Sequence, residues 1–122
     1  MAVIQAPSEW THEIPNVRFR SLATPSRGTR ENAVWRVSFA AGAASAPHSL
    51  TREEIFVVLA GELTVTMQGR AQRAGVGDAI VVPADVEFSV TAHAASELLC
   101  CFPVGGQARL ASGELISPPW AQ

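Results

Sequence analysis

The chain has 122 residues, nine basic and eleven acidic side chains, and a formal net charge of −2. That length makes one domain able to bury a core without metals or disulfides. With no run of Lys or Arg to meet a polyanion, nucleic acid and an anionic membrane surface are excluded as expected partners.

Nine glycines and eight prolines interrupt the chain so often that no long helix fits. The short β-branched and aromatic runs between them predict an all-β sandwich or barrel. In chain order, residues 1–33 read as an N-terminal arm that wraps the barrel, although Arg18 to Leu22 alternates like an edge strand. Val34 to Phe39 is the first core strand. Thr51-Arg52-Glu53-Glu54 matches a helix capping box. The β-branched Ile55, Val57 and Val58 and the stop at Gly61 argue instead for a strand from Ile55 to Leu59.

In that strand Glu54, Phe56 and Val58 share one face and Ile55, Val57 and Leu59 the other. Both faces are apolar beyond Glu54, which predicts an exterior covered by a second sheet or a partner subunit. Further strands are predicted at Leu63 to Met67, Ala79 to Val82, Val86 to Val90 and Leu98 to Phe102, with tight turns at Gln68-Gly69 and Gly77-Asp78. Residues 104–122 read as a C-terminal tail. Trp35 belongs to the sheet, and Trp10 and Trp120 anchor the two arms.

Cys100 and Cys101 are adjacent in a strand, so their side chains point to opposite faces and do not bridge. Reduced thiols, apolar stretches too short for a membrane span and the lack of a secretion signal predict a cytoplasmic protein.

The spacing of Gly42, His48, Glu54 and Gly61, followed by Gly77, Asp78 and Pro83, resembles the two sequence motifs of the cupin superfamily. The resemblance spans about Val34 to Pro103. It implies a double-stranded β-helix, or jelly-roll, barrel over residues 34–103 of a single domain 1–122, with terminal arms. The chain is also similar to small stand-alone bacterial cupins that carry His-x-Leu and end in Pro-Pro-Trp, here Pro118-Pro119-Trp120. The likeness further implies a homodimer, and Val17 to Leu22 has the alternation needed for an exchanged N-terminal strand.

In the family a His-x-His pair, a Glu and a later His hold a transition metal. Here His48 and Glu54 stand at two of those positions, while Leu50 and Phe88 stand where the other two histidines would be; Asp85 and Ala92 depart from the second motif as well. Leu and Phe donate nothing to a metal, so no cofactor is expected. The alternative is a divalent transition metal held by His48 and Glu54 with rescue from Cys100 or Cys101, His93, His12 or Glu87.

Without a metal, the same substitutions give an apolar pocket for a small organic ligand, lined by Leu50, Phe56, Phe88, Arg36 and Cys101. His48 and Glu54 are then the candidate catalytic pair, brought nearer neutrality by desolvation. For Arg36 an outward position is the alternative, and for either cysteine the role of a small buried hydrophobe. Three functions follow: a metal-independent small-molecule binder or isomerase-, epimerase- or cyclase-like enzyme; a metal enzyme of the dioxygenase or isomerase type with a rearranged site; or a non-catalytic dimerisation or sensing module.

Overall fold

The computed structural model describes residues 2–122. Its twelve strands are β1 (His12–Ile14), β2 (Val17–Ala23), β3 (Asn32–Phe39), β4 (Ser49–Leu50), β5 (Glu54–Ala60), β6 (Glu62–Met67), β7 (Arg70–Gly75), β8 (Ala79–Val82), β9 (Phe88–Ala92), β10 (Ser96–Pro103), β11 (Ala108–Arg109) and β12 (Leu115–Ile116). They form a six-stranded sheet in the order β1-β2-β3-β10-β5-β8, a three-stranded sheet β7-β6-β9 and a small sheet β12-β11-β4. Every recorded pairing is antiparallel.

Alternation builds the interior. In β10, Ser96, Leu98, Cys100 and Phe102 are buried and the residues between them are half-exposed. In β5 it is Glu54, Phe56 and Val58 that turn inward. Leu63 and Val65 of β6 with Phe88 and Val90 of β9 meet them from the other sheet. Each such apolar side chain contributes roughly 1.5–3 kcal/mol through burial.

The capping-box helix does not form, because β5 begins at Glu54 and Thr51 is spent elsewhere: its hydroxyl accepts the Gln107 N–H at 2.9 Å. Gln68 and Gly69, with φ of 50° and 78°, make a two-residue hairpin between β6 and β7 whose left-handed conformations match strand twist. Gly61 is required twice over in the turn from β5 to β6. Its φ is +83°, and a Cβ there would lie 2.2 Å from Ser96 Oγ and 2.5 Å from the Ala95 carbonyl oxygen.

Two expectations for the N-terminal third need correction. Residues 1–33 are not simply an arm, since β1 and β2 are strands of the large sheet. Nor is Val17 to Leu22 a free edge, because β2 pairs with β1 on one side and β3 on the other within the same chain. The C-terminal tail is anchored by Trp120, whose ring stacks on Phe19 at 3.7 Å, and by Ser21 Oγ, which donates to the Trp120 carbonyl at 2.7 Å. Trp35 packs edge-on against Phe102 in the core.

Candidate functional site

Glu54 heads β5 on its inward face, opposite Val82 of β8, and is 6% exposed. No side-chain donor among the described residues reaches its carboxylate. Burial therefore pushes its pKa from an ordinary 4.5 up to about 8, so the carboxyl is protonated at neutral pH. Cys100 lies near enough that the Glu54 charge adds to burial in raising the thiol well above its ordinary range.

His48 is half-buried in the segment leading to β4 and forms an isolated bridge with Phe88 of β9. Both backbone bonds of that bridge are present, His48 N–H to the Phe88 oxygen at 3.0 Å and Phe88 N–H to the His48 oxygen at 2.8 Å. The imidazole lies 4.4 Å from the Phe88 ring, and its Nδ1 is 2.8 Å from the Ala46 carbonyl oxygen. A carbonyl only accepts, so Nδ1 carries the proton and Nε2 is left as the acceptor of the neutral ring. His48 and Glu54 are not hydrogen-bonded to each other.

Leu50 and Phe88 are buried, and Phe88 packs against Phe56 at 6.2 Å between ring centroids. Ring contacts thus join His48 to Phe88 and Phe88 to Phe56, with Glu54 two residues before Phe56 on the same inward face of β5 and Leu50 buried in the same core. Two residues assigned to this pocket belong elsewhere. Arg36 alternates with the buried Trp35 and Val37, so it projects from the outer face, where it pairs with Glu97. Cys101 is paired with Val34 and Ile55 on that same outer face. Cys100, in register with Phe56, takes the inward position.

The donor set does not fit a metal. Among the described residues no three His, Cys, Asp or Glu side chains converge. The two missing family positions are filled by buried Leu50 and Phe88, whose side chains donate nothing to a metal. The rescue candidates face away: His93 pairs with Thr64 Oγ1 on the surface, His12 Nδ1 with Thr11 Oγ1, and Glu87 is exposed.

Two surface cavities lie apart from this cluster. One of about 310 Å³ opens between β7 and β8 beside Arg73 and Ile80, and one of about 400 Å³ lies beside Asn16 and Phe39. No helix among the described residues is long and apolar enough to cross a membrane.

Two antiparallel sheets enclosing one apolar interior define a jelly-roll β-barrel. The chain belongs to the family described as "Cupin domain", whose model matches residues 35–102. Among solved structures it is similar to KdgF from Halomonas sp., with 26% identity, a TM-score of 0.70 and coverage of 78% of this chain and 84% of that one. It is also similar to an RmlC-like cupin from Shewanella frigidimarina, at 20% identity and TM-score 0.69 over 78% and 82% of the two chains. A third is the salicylate 1,2-dioxygenase of Pseudoaminobacter salicylatoxidans with gentisate, at 23% identity and TM-score 0.66 over 72% of this chain and 25% of that one. No curated protein matches.

Proposed function

We propose that this barrel binds a small, partly apolar organic molecule without a metal and moves a proton on it, Glu54 serving as acid and His48 Nε2 as base. The observation that carries this reading is Glu54 itself: a carboxyl buried on the interior face and kept protonated up to a pH of about 8. Such a group donates a proton at neutral pH, and an imidazole with a free Nε2 accepts one. An acid and a base beside one apolar cluster are the equipment for an isomerase-, epimerase- or cyclase-type reaction. Phe56 and Phe88 supply apolar surface for the ligand.

The relatives support binding by analogy, since one carries gentisate, a small aromatic acid. They do not choose among chemistries, because one fold hosts many. A library of small carboxylates, sugar acids and ketones should contain a compound that raises the melting temperature, since a ligand selective for the folded state stabilises it. That rise should be lost in His48→Ala and Glu54→Ala. A ligand whose shift is unchanged in both variants would place the binding site elsewhere.

A further inference from the structure

The outer face of the large sheet gathers three arginines on two adjacent strands. Arg18 and Arg20 of β2 and Arg36 of β3 project from the same side, Arg18 opposite Ser38 and Arg20 opposite Arg36. Like charges directly opposite each other in an antiparallel pair are unfavourable. Arg36 has a counter-ion, because it pairs with Glu97. Arg18 and Arg20 have no acid partner among the described residues, and both lie against the Trp10 ring, at 4.9 and 4.7 Å from its centroid. The Nε atoms of Arg20 and Arg36 are buried with no acceptor among the described residues. Buried donors are nearly always paired, so charge and hydrogen-bonding capacity are both left over here.

Beside this cluster lies the cavity of about 400 Å³. Its size falls within the range of small-molecule sites, about 300–1,000 Å³. It wraps the end of the sheet, where the turn from β1 to β2 meets the end of β3 and the Ala40 N–H donates to the Asn16 carbonyl at 2.9 Å. Arg18 and Ser38 form its polar wall, and Ile14, Val17 and Phe39 its apolar wall, with Ile14 49% exposed. The half-buried Ser38 hydroxyl sits across from Arg18 and is able to donate a hydrogen bond. Glu13 borders the cavity from β1, opposite Arg18, and forms no ion pair with it.

We propose that this end of the sheet binds a small organic monoanion, its carboxylate held by Arg18, Arg20 and the Ser38 hydroxyl and its compact apolar body lying against Ile14 and Phe39. The guanidinium presents a rigid fork of donors that matches a carboxylate, and hydrogen bonds between ionised partners are the strong ones. A bound anion also offsets the repulsion that Arg20 and Arg36 meet across the strand pair. Two features select among anions. The apolar wall favours a carboxylate that carries a hydrocarbon body over a bare inorganic ion. Glu13 at the rim repels a second negative charge, which disfavours a phosphate dianion. Because Arg18 and Arg20 alternate with the inward-facing Phe19, the site lies across the sheet from the barrel interior and is independent of Glu54.

Isothermal titration calorimetry of the full chain with benzoate at constant ionic strength tests this. Benzoate should bind, and acetate and inorganic phosphate should each bind more weakly, the first for want of an apolar body and the second for its extra charge. Arg20→Gln and Arg18→Gln should each weaken benzoate binding by about tenfold or more, the loss expected when a hydrogen bond between charged partners is removed. Ile14→Ser should weaken benzoate and leave acetate unchanged. Titration of His48→Ala separates this site from the barrel interior, and the arginine-dependent binding should persist in it. Absence of benzoate binding, phosphate binding as tight as benzoate, or benzoate binding that survives both arginine variants overturns the proposal. Loss of benzoate binding in His48→Ala would move the ligand into the barrel and overturns it as well. If Arg20→Gln does not fold, Arg18→Gln decides, since Arg18 is exposed on the sheet.

Discussion

Stability should fall as the pH rises from about 4.5 to about 8, and Glu54→Gln should remove that slope. With its pKa pushed up to about 8, the buried carboxyl keeps its proton across a range in which the unfolded chain has lost it. The folded state then binds more protons, so stability declines with pH by about 1.4 kcal/mol per unit between the two pKa values and is flat outside them. The whole loss is on the order of 5 kcal/mol, a large share of the 5–15 kcal/mol that folded domains typically possess. Near pH 9 the Gln variant should therefore be the more stable protein, and near pH 4 the two should be close. Urea unfolding of both proteins across that range checks this. A constant difference between them would mean that Glu54 ionises as an ordinary surface carboxyl.

Phe88→Ala should cost about 3–5 kcal/mol near pH 5, the usual range for deleting a buried aromatic ring. Phe88 is 3% exposed and lies between the His48 imidazole and Phe56, the inward neighbour of Glu54 on β5. The void left by its ring would open a polar-edged space to water and partly rehydrate Glu54. The pH slope should shrink accordingly, so the gap between wild type and variant should be narrower near pH 9 than near pH 5. Denaturant midpoints at those two values decide it, and an equal gap at both would separate Phe88 from the desolvation of Glu54.

The strands richest in β-branched and aromatic residues were legible because their chemistry suits a pleated, half-buried surface; Ala79–Val82 was legible to the residue. β7 was not, because Arg-Ala-Gln-Arg-Ala has no apolar alternation. It becomes a strand through the hairpin that lays it on β6. β1, β4, β11 and β12 are two or three residues long and owe their existence to tertiary pairing.

The site was legible only where inward and outward residues differ in kind. Glu54 and Phe56 could be placed on one face because they share parity in a strand of known start. In β10, Leu98-Leu99 and Cys100-Cys101 repeat the same residue type on both faces, so nothing local distinguishes in from out. The pairing of Cys100 with Trp35 and Phe56 does. For Arg36, where the sequence allows both a pocket and an outward position, the alternation of its buried neighbours Trp35 and Val37 turns it outward. The near absence of polar contacts around Glu54, the feature that matters most for its chemistry, depends on the packing of five separate strands and has no counterpart in any local spacing.

Elemental analysis of tag-free protein purified without chelator, with His48→Ala alongside, tests whether Leu50 and Phe88 have abolished the family metal position and left Glu54 neutral among apolar side chains. The account predicts transition-metal content well below one equivalent per chain and no difference between the two proteins. A metal close to one equivalent in the wild type that disappears in His48→Ala would contradict it.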